Sequence, residues 1–345
     1  MTVPPTPTPA ALQRIGPAAL LPAFLTEAGV DARAFLAEFG LVPEEFTAAA
    51  RLPFDRALAV LARAAEVTGR PDLGLAIGLA SDHHCLAQVG ELMDSAPTLG
   101  DALADYVRVH GGLSQAACAY LLPMGDCVLF GLGVYGRSAP GLDQFHALVV
   151  AVASRIVEAL SGSTVRPLEA HFCCRAPADP RLFSRALKTE VRFNQPLSGL
   201  LLPRAALAAV NPGADPARRA ALMAEIADGL ARTGQPVAER LRRFLRVALS
   251  LETATLSEAA RHLALSERSL SRRLAEEGTS FAAERDAVRC VMACELLVLT
   301  DLSVGEIALA LSYGSHSAFV RSFRRWTGRA PSDWRRAPGE AGGTD

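Results

Sequence analysis

The strongest constraint on the fold is a unit that occurs twice in the last hundred residues. The first copy runs from Thr255 to Leu274 and the second from Ser303 to Phe323, with one extra residue in the turn. Each opens with a hydroxyl residue followed three positions later by glutamate, Thr255 with Glu258 and Ser303 with Glu306. That spacing predicts a capping box, in which hydroxyl and carboxylate reciprocally satisfy backbone N–H groups left free at a helix start. Small Ala260 and Ala308 sit inside the helix so launched, where a second helix can approach, and Leu263 and Leu311 close it. After a brief turn, Ser266 and Ser315 are positioned to cap a second helix. This helix turns an apolar i,i+4 pair inward, Leu270 with Leu274 and Phe319 with Phe323, and sets Arg272 and Arg321 on the other side. Helix, tight turn, helix with polar and basic residues is the geometry that enters a DNA major groove. One such hairpin is weak evidence, because helical hairpins abound; two in tandem are much stronger.

Between the copies, Phe281 to Leu299 reads as one continuous amphipathic helix. Its 19 residues span about 28 Å at ~1.5 Å per residue. Successive major-groove faces on one side of DNA lie ~34 Å apart, so one chain can present both second helices to adjacent grooves. Charge follows the same division. Residues 236–337 hold 16 arginines against 12 acidic residues, a net of +4, whereas 1–235 carry −3. Arginine abundance by itself carries no weight here, since Lys188 is the only lysine in the chain.

Residues 236–337 resemble the DNA-binding domain of AraC/XylS-type regulators. The diagnostic residues are Ser315, Phe319, Arg321, Phe323 and Arg324, then Thr327, Gly328, Arg329, Ala330 and Pro331, then Trp334 and Arg335. Ser312 departs from the pattern, standing where the family usually has glycine, which implies a slightly strained turn. The resemblance implies base contacts from Arg268, Ser271 and Arg272 on the first reading helix and from His316, Ser317 and Arg321 on the second. Arginine suits this role because it can bond guanine O6 and N7 together. Phosphate contact is expected of Arg273, Ser315, Arg324 and Arg325, and phosphate anchoring or plain solvation remains the alternative for the base-reading arginines.

The first half reads as α+β. Phe54, Leu58, Leu61 and Ala65 keep helical spacing, Thr98 caps a helix over Leu99 to Val109, and another helix covers Leu142 to Leu160. Two runs, Ala116 to Leu122 and Cys127 to Val134, flank Gly125-Asp126 as a β-hairpin, and strands are expected over Leu168 to Cys174 and near Val191 to Phe193. Asp72 to Leu79 and Ser95 to Ala102 resemble the arabinose-binding-like domain of ornithine-utilisation and virulence regulators; the label is not evidence that arabinose binds. Domains are therefore expected at 11–210 (effector-binding or dimerisation) and 236–337 (all-α, two helix-turn-helix motifs), joined by a linker, 211–235, that includes a helix from Ala217 to Ala231. The ends, 1–10 and 338–345, read as disordered tails, proline-rich and glycine-rich respectively. An effector pocket is expected among Leu73 to Leu79, the hairpin near Leu121 and Phe130, and the Leu142 to Leu160 helix.

Other chemistry is weakly represented. No phosphate loop, nucleophile elbow or metal-protease motif occurs, and the acceptor sequence of a cysteine alkyl acceptor is missing, so no enzyme and no cofactor are expected. His171 and Cys173 share a strand face in this reading, with Cys174 opposite, and His83-His84-Cys85 has no second ligand pair; core packing outweighs a metal role at both places. Cys290 and Cys294, at i,i+4, read as packing residues before redox sensors. Seven cysteines without a repeated spacing fit a reducing compartment. No apolar run approaches roughly 18 residues, so a soluble cytoplasmic protein without membrane contact is expected. The reading is a regulator of transcription, expected to activate. Its expected partners are double-stranded promoter DNA and RNA polymerase, with a small-molecule effector and a homodimer as further expectations.

Overall fold

A computed structural model describes residues 11–135, 140–232 and 234–336; the tails expected at 1–10 and 338–345 lie outside the described residues. The amino-terminal part opens with β1 (Leu12–Arg14), α1 (Leu21–Glu27), α2 (Ala32–Ala37) and β2 (Arg51–Pro53), and β1 pairs antiparallel with β2. Next come α3 (Phe54–Thr68), α4 (Leu73–Ala80), α5 (Gln88–Asp94) and α6 (Leu99–Val109). Gly69, in the left-handed region at φ 61°, ends α3. The Thr98 hydroxyl accepts from Asp101 N at 3.1 Å and starts α6, as its position in the sequence predicts.

A five-stranded sheet follows, built from β3 (Ala117–Met124), β4 (Cys127–Val134), β5 (Glu169–His171), β6 (Glu190–Arg192) and β7 (Ser198–Pro203) in the order β3-β4-β7-β5-β6. Only β5 and β6 run parallel. Gly125 takes φ 61° in the two-residue loop between β3 and β4, which a side chain would strain. The expected strand over Leu168 to Cys174 is shorter. Beyond His171 the chain leaves the sheet, and Cys173 packs in the carboxy-terminal core while Cys174 packs in the amino-terminal one. His171 meets Glu169 at 2.7 Å, whereas Cys173 groups with His146 and Glu295.

One helix, α7 (Leu142–Leu160), backs the sheet against α4. The apolar Gly-containing stretch is α4 itself, and its glycines at i,i+4 are what bring the helices together. A Cβ on Gly74 would overlap the Gln144 carbonyl oxygen, and one on Gly78 would lie 2.6 Å from the Ala151 Cβ. Gln144 completes the joint, its Oε1 accepting from Gly74 N at 2.9 Å and its Nε2 donating to Pro71 O at 2.9 Å. This contact also corrects the expected pocket. Because α4 lies on the α7 backbone there is no room between them. The cavity, about 80 Å³, opens on the other side of α7, lined by α3, Phe130, Phe145 and the segment Gln13–Ala18. Neither Leu121 nor the Leu73–Leu79 stretch lines it.

Two helices remain in this part, α8 (Arg181–Leu187) and α9 (Pro216–Arg232). The expected linker is docked: Leu222 of α9 is buried in the amino-terminal core, and Arg219 Nε meets Asp105 Oδ2 at 2.6 Å. The carboxy-terminal part is all helix: α10 (Val237–Ala248), α11 (Leu256–His262), α12 (Glu267–Glu276), α13 (Phe281–Leu299), α14 (Val304–Ala310), α15 (His316–Thr327) and α16 (Pro331–Arg336).

The two parts meet at a buried seam of charge. Arg246 of α10 donates from Nε to Val134 O at 2.8 Å and meets Glu295 of α13 at 3.4 Å; Glu295 in turn meets His146 Nε2 of α7 at 2.7 Å. Burial would raise the Glu295 carboxyl, but the His146 hydrogen bond and the Arg246 charge outweigh it and hold the group below its ordinary value. At the edge of the seam Arg175 reaches the end of α13, donating to Thr300 O at 3.1 Å and Val298 O at 2.6 Å.

Candidate nucleic-acid interface

The two repeats fold as the sequence predicts, with one difference at their starts. In the second, Ser303 Oγ accepts from Glu306 N at 3.2 Å and Glu306 Oε2 accepts from Ser303 N at 2.7 Å, a complete capping box. In the first, Thr255 Oγ1 accepts from Glu258 N at 3.2 Å, but the Glu258 carboxylate is taken by Arg261, one turn along the same helix. The Thr255 N–H donates instead to Thr253 O at 2.8 Å, and the carboxylate takes the charged partner at i+3.

Both first helices end the same way. Leu265 N donates to Ala260 O and Tyr313 N to Ala308 O, each at 2.9 Å, which requires a left-handed residue just before: Ala264 at φ 55° and Ser312 at φ 58°. The strain implied at Ser312 is therefore present, and its hydroxyl donates to Leu249 O at 2.8 Å. That bond is a physical reason for serine to stand in a position glycine would occupy without strain.

On the second helices α12 and α15, Leu270, Leu274, Phe319 and Phe323 are fully buried. The opposite faces are open: Arg268, Ser271, Arg272, Arg273, Ser315, His316, Ser317, Arg321, Arg324 and Arg325 are all exposed. Ser266 and Ser315 cap the helices, accepting from Ser269 N at 3.1 Å and Ala318 N at 3.2 Å. Capping uses an oxygen lone pair and leaves the hydroxyl proton of Ser315 free to donate. Among the described residues Arg268, Arg273, Arg321 and Arg324 have no acidic partner. Arg272 meets Glu276 at 3.0 Å, both side chains largely exposed; such an i,i+4 pair is worth about 0.3–0.5 kcal/mol and opens readily. Arg325 differs. It meets Asp286 of α13 at 2.7 Å, and Trp326 Nε1 donates to the same oxygen at 3.3 Å. The sequence reading missed this because Asp286 lies on another element.

Behind the open faces the helices are tied to one another. Arg242 of α10 meets Glu284 of α13 at 3.1 Å, and the Glu277 carboxylate accepts from Val237 N and Ala238 N at 2.7 and 2.8 Å, tying the end of α12 to the start of α10. The diagnostic residues after α15 are architectural: Gly328 takes φ 72° to end the helix, Pro331 opens α16, and buried Trp334 stands edge-on to Phe323 at 5.8 Å.

Comparison with known proteins agrees with this geometry. Residues 29–210 match the arabinose-binding domain of AraC transcription regulator, N-term, and residues 259–337 match a helix-turn-helix domain. The chain is similar to the ornithine utilization regulator of Pseudomonas aeruginosa, 30% identical over 78% of this chain and 80% of that one. It is also similar to the HTH-type transcriptional regulator VirS of Mycobacterium tuberculosis, 25% identical over 92% and 94%. The crystal structure of transcriptional regulator CdpR from Pseudomonas aeruginosa aligns over 92% of this chain and 96% of that one, with a TM-score of 0.45 and 22% identity. The families matched are transcription regulators, not enzymes. With a family domain spanning most of its first two thirds and a helix-turn-helix domain behind it, the chain is a DNA-binding transcription regulator of the AraC family.

Proposed function

We propose that this regulator reads promoter DNA with α12 and α15 in adjacent major grooves, activates transcription through RNA polymerase, works in the cytoplasm, and answers to a small molecule held in the amino-terminal cavity. Base contacts belong to Arg268, Ser271, Arg272, His316, Ser317 and Arg321, and phosphate contacts to Arg273, Ser315 and Arg324. Arg325 is the weakest of the phosphate contacts, because Asp286 already engages it. The observation that carries the DNA reading is the pairing of two open, basic helix faces on one buried framework.

The effector reading rests on how the cavity and the seam share α7. Phe145 lines the cavity and the next residue, His146, bonds Glu295 of the helix that joins the two reading units. A ligand that fits one placement of α7 better than another thereby shifts α13, and only such unequal binding regulates. Dimerisation through the amino-terminal domain is part of the same proposal. The test is to fill the cavity with Ala153→Phe and follow a reporter across growth conditions, checking folding by thermal melting and DNA binding by anisotropy. Lost condition-dependence with retained DNA binding supports the effector reading. A folded variant that responds like the parent removes it.

A further inference from the structure

Outside the DNA-reading faces, one cluster of side chains has the form of a ligand set. Asp82 starts a single 3-10 turn, His83–Leu86, and α5 then returns so that its last residue, Asp94, lies over the two histidines. His83 Nε2 is 2.6 Å from Asp94 Oδ1 and His84 Nε2 is 2.8 Å from Asp94 Oδ2. The imidazole rings lie against each other with centroids 4.3 Å apart, and the three groups converge within 4.8 Å. His83 is buried, so packing fixes its ring in place.

His84 has a carboxylate acceptor at each ring nitrogen. Its Nδ1 lies 3.3 Å from Asp82 Oδ1 while its Nε2 faces Asp94. Both neighbours are acceptors, and a neutral imidazole has one N–H. If Nδ1–H serves Asp82, a neutral ring sets its Nε2 lone pair against the Asp94 carboxylate, and that arrangement is favourable only with a cation between them, a second proton or a metal ion. A carboxylate that orients a histidine from behind, with the other ring nitrogen free to bind, is the arrangement found behind metal-ligating histidines.

We propose that His83, His84 and Asp94 bind a divalent transition cation of the zinc type. Two imidazoles and one carboxylate suit zinc, and three protein ligands leave a fourth position open to water. The site stands at the foot of the connection to the DNA-binding part. The Asn211 side chain donates to the carbonyls of Met93, Asp94 and Ala96 at 3.0, 2.8 and 2.9 Å, and Asp215 N donates to Ser95 O at 3.0 Å. A cation that fixes Asp94 therefore stiffens the anchor of residues 211–215.

The experiment uses the full chain, stripped with a chelator and titrated with zinc by calorimetry and with cobalt by absorption. A single site is expected, without thiolate-to-cobalt charge transfer, and zinc should raise the melting temperature of the parent. His84→Ala and Asp94→Asn should abolish that rise, and Asp82→Asn should weaken binding about 10- to 100-fold. Melting of the metal-free variants checks that each is folded. No zinc binding by the parent overturns the proposal, and so does equal binding by parent and folded His84→Ala. Thiolate charge transfer that disappears in Cys173→Ser would overturn it too, by moving the ion to the buried His146, Cys173 and Glu295 group.

Discussion

Arg272 and Arg324 are both exposed arginines on the second helices of the repeats, and the proposed function gives them different work. Arg272 stands on the outer face of α12 with only the exposed Glu276 to release. Arg272→Ala should cost about 1 to 3 kcal/mol and relax preference at one base pair, because it removes a directional contact to a base edge. Arg324→Ala should weaken all sequences nearly alike and lower the salt slope by about one. Anisotropy titrations over a set of single-base-pair variants, at several salt concentrations, separate the two; a uniform loss for Arg272→Ala would make it a phosphate anchor. The exposure of these residues was legible in the sequence, because an amphipathic helix divides apolar from polar residues by spacing alone. The partner of Arg325 was not, since nothing local links it to Asp286, 39 positions earlier. A different residue-scale effect belongs to His110. Burial, then the Arg243 charge, pushes its imidazole down to about 3 from 6.5. Its folded value is depressed, so the stability it contributes is present above 6.5 and is lost as pH falls toward 3. Melting temperature should fall through that window, and His110→Gln should flatten the fall; an unchanged profile would show that other groups set it.

At the scale of elements, long periodic segments were readable, whereas some of the short strands were not. The helices over Leu99–Val109, Leu142–Leu160 and Phe281–Leu299 fall where capping residues and apolar spacing put them. By contrast, β1 and β2 each span three residues, too few for alternation to show, and β7 is a short apolar run with no period of its own; β6 falls close to the strand expected near Val191 to Phe193. Glycine spacing in α4 was visible, but its meaning required the partner helix. Gly78→Ala should destabilise the amino-terminal domain by about 1 to 3 kcal/mol, since the added methyl meets the backbone and Ala151 of α7. Chemical denaturation measures this; a neutral or stabilising result, as expected for alanine in an ordinary helix, would mean that α4 and α7 do not pack so closely.

Across the whole molecule, the seam joins what the sequence divides into independent domains. It escaped prediction because Arg246, Glu295 and His146 come from three separate helices, and none is unusual in its own segment. Removing one member of a buried ion pair leaves the other charge uncompensated, so Glu295→Ala should cost about 3 to 5 kcal/mol. Thermal melting would contradict the seam if the loss were under 1 kcal/mol (about the worth of an exposed pair). The central claim, however, is that one chain reads two neighbouring grooves. Its most direct test is hydroxyl-radical footprinting of the full chain on the upstream region of adjacent genes, with Arg268→Ala and His316→Ala as variants. Two protected patches about 10 base pairs apart are expected, with each variant weakening a different patch; a single patch, or two that both variants weaken equally, would contradict it.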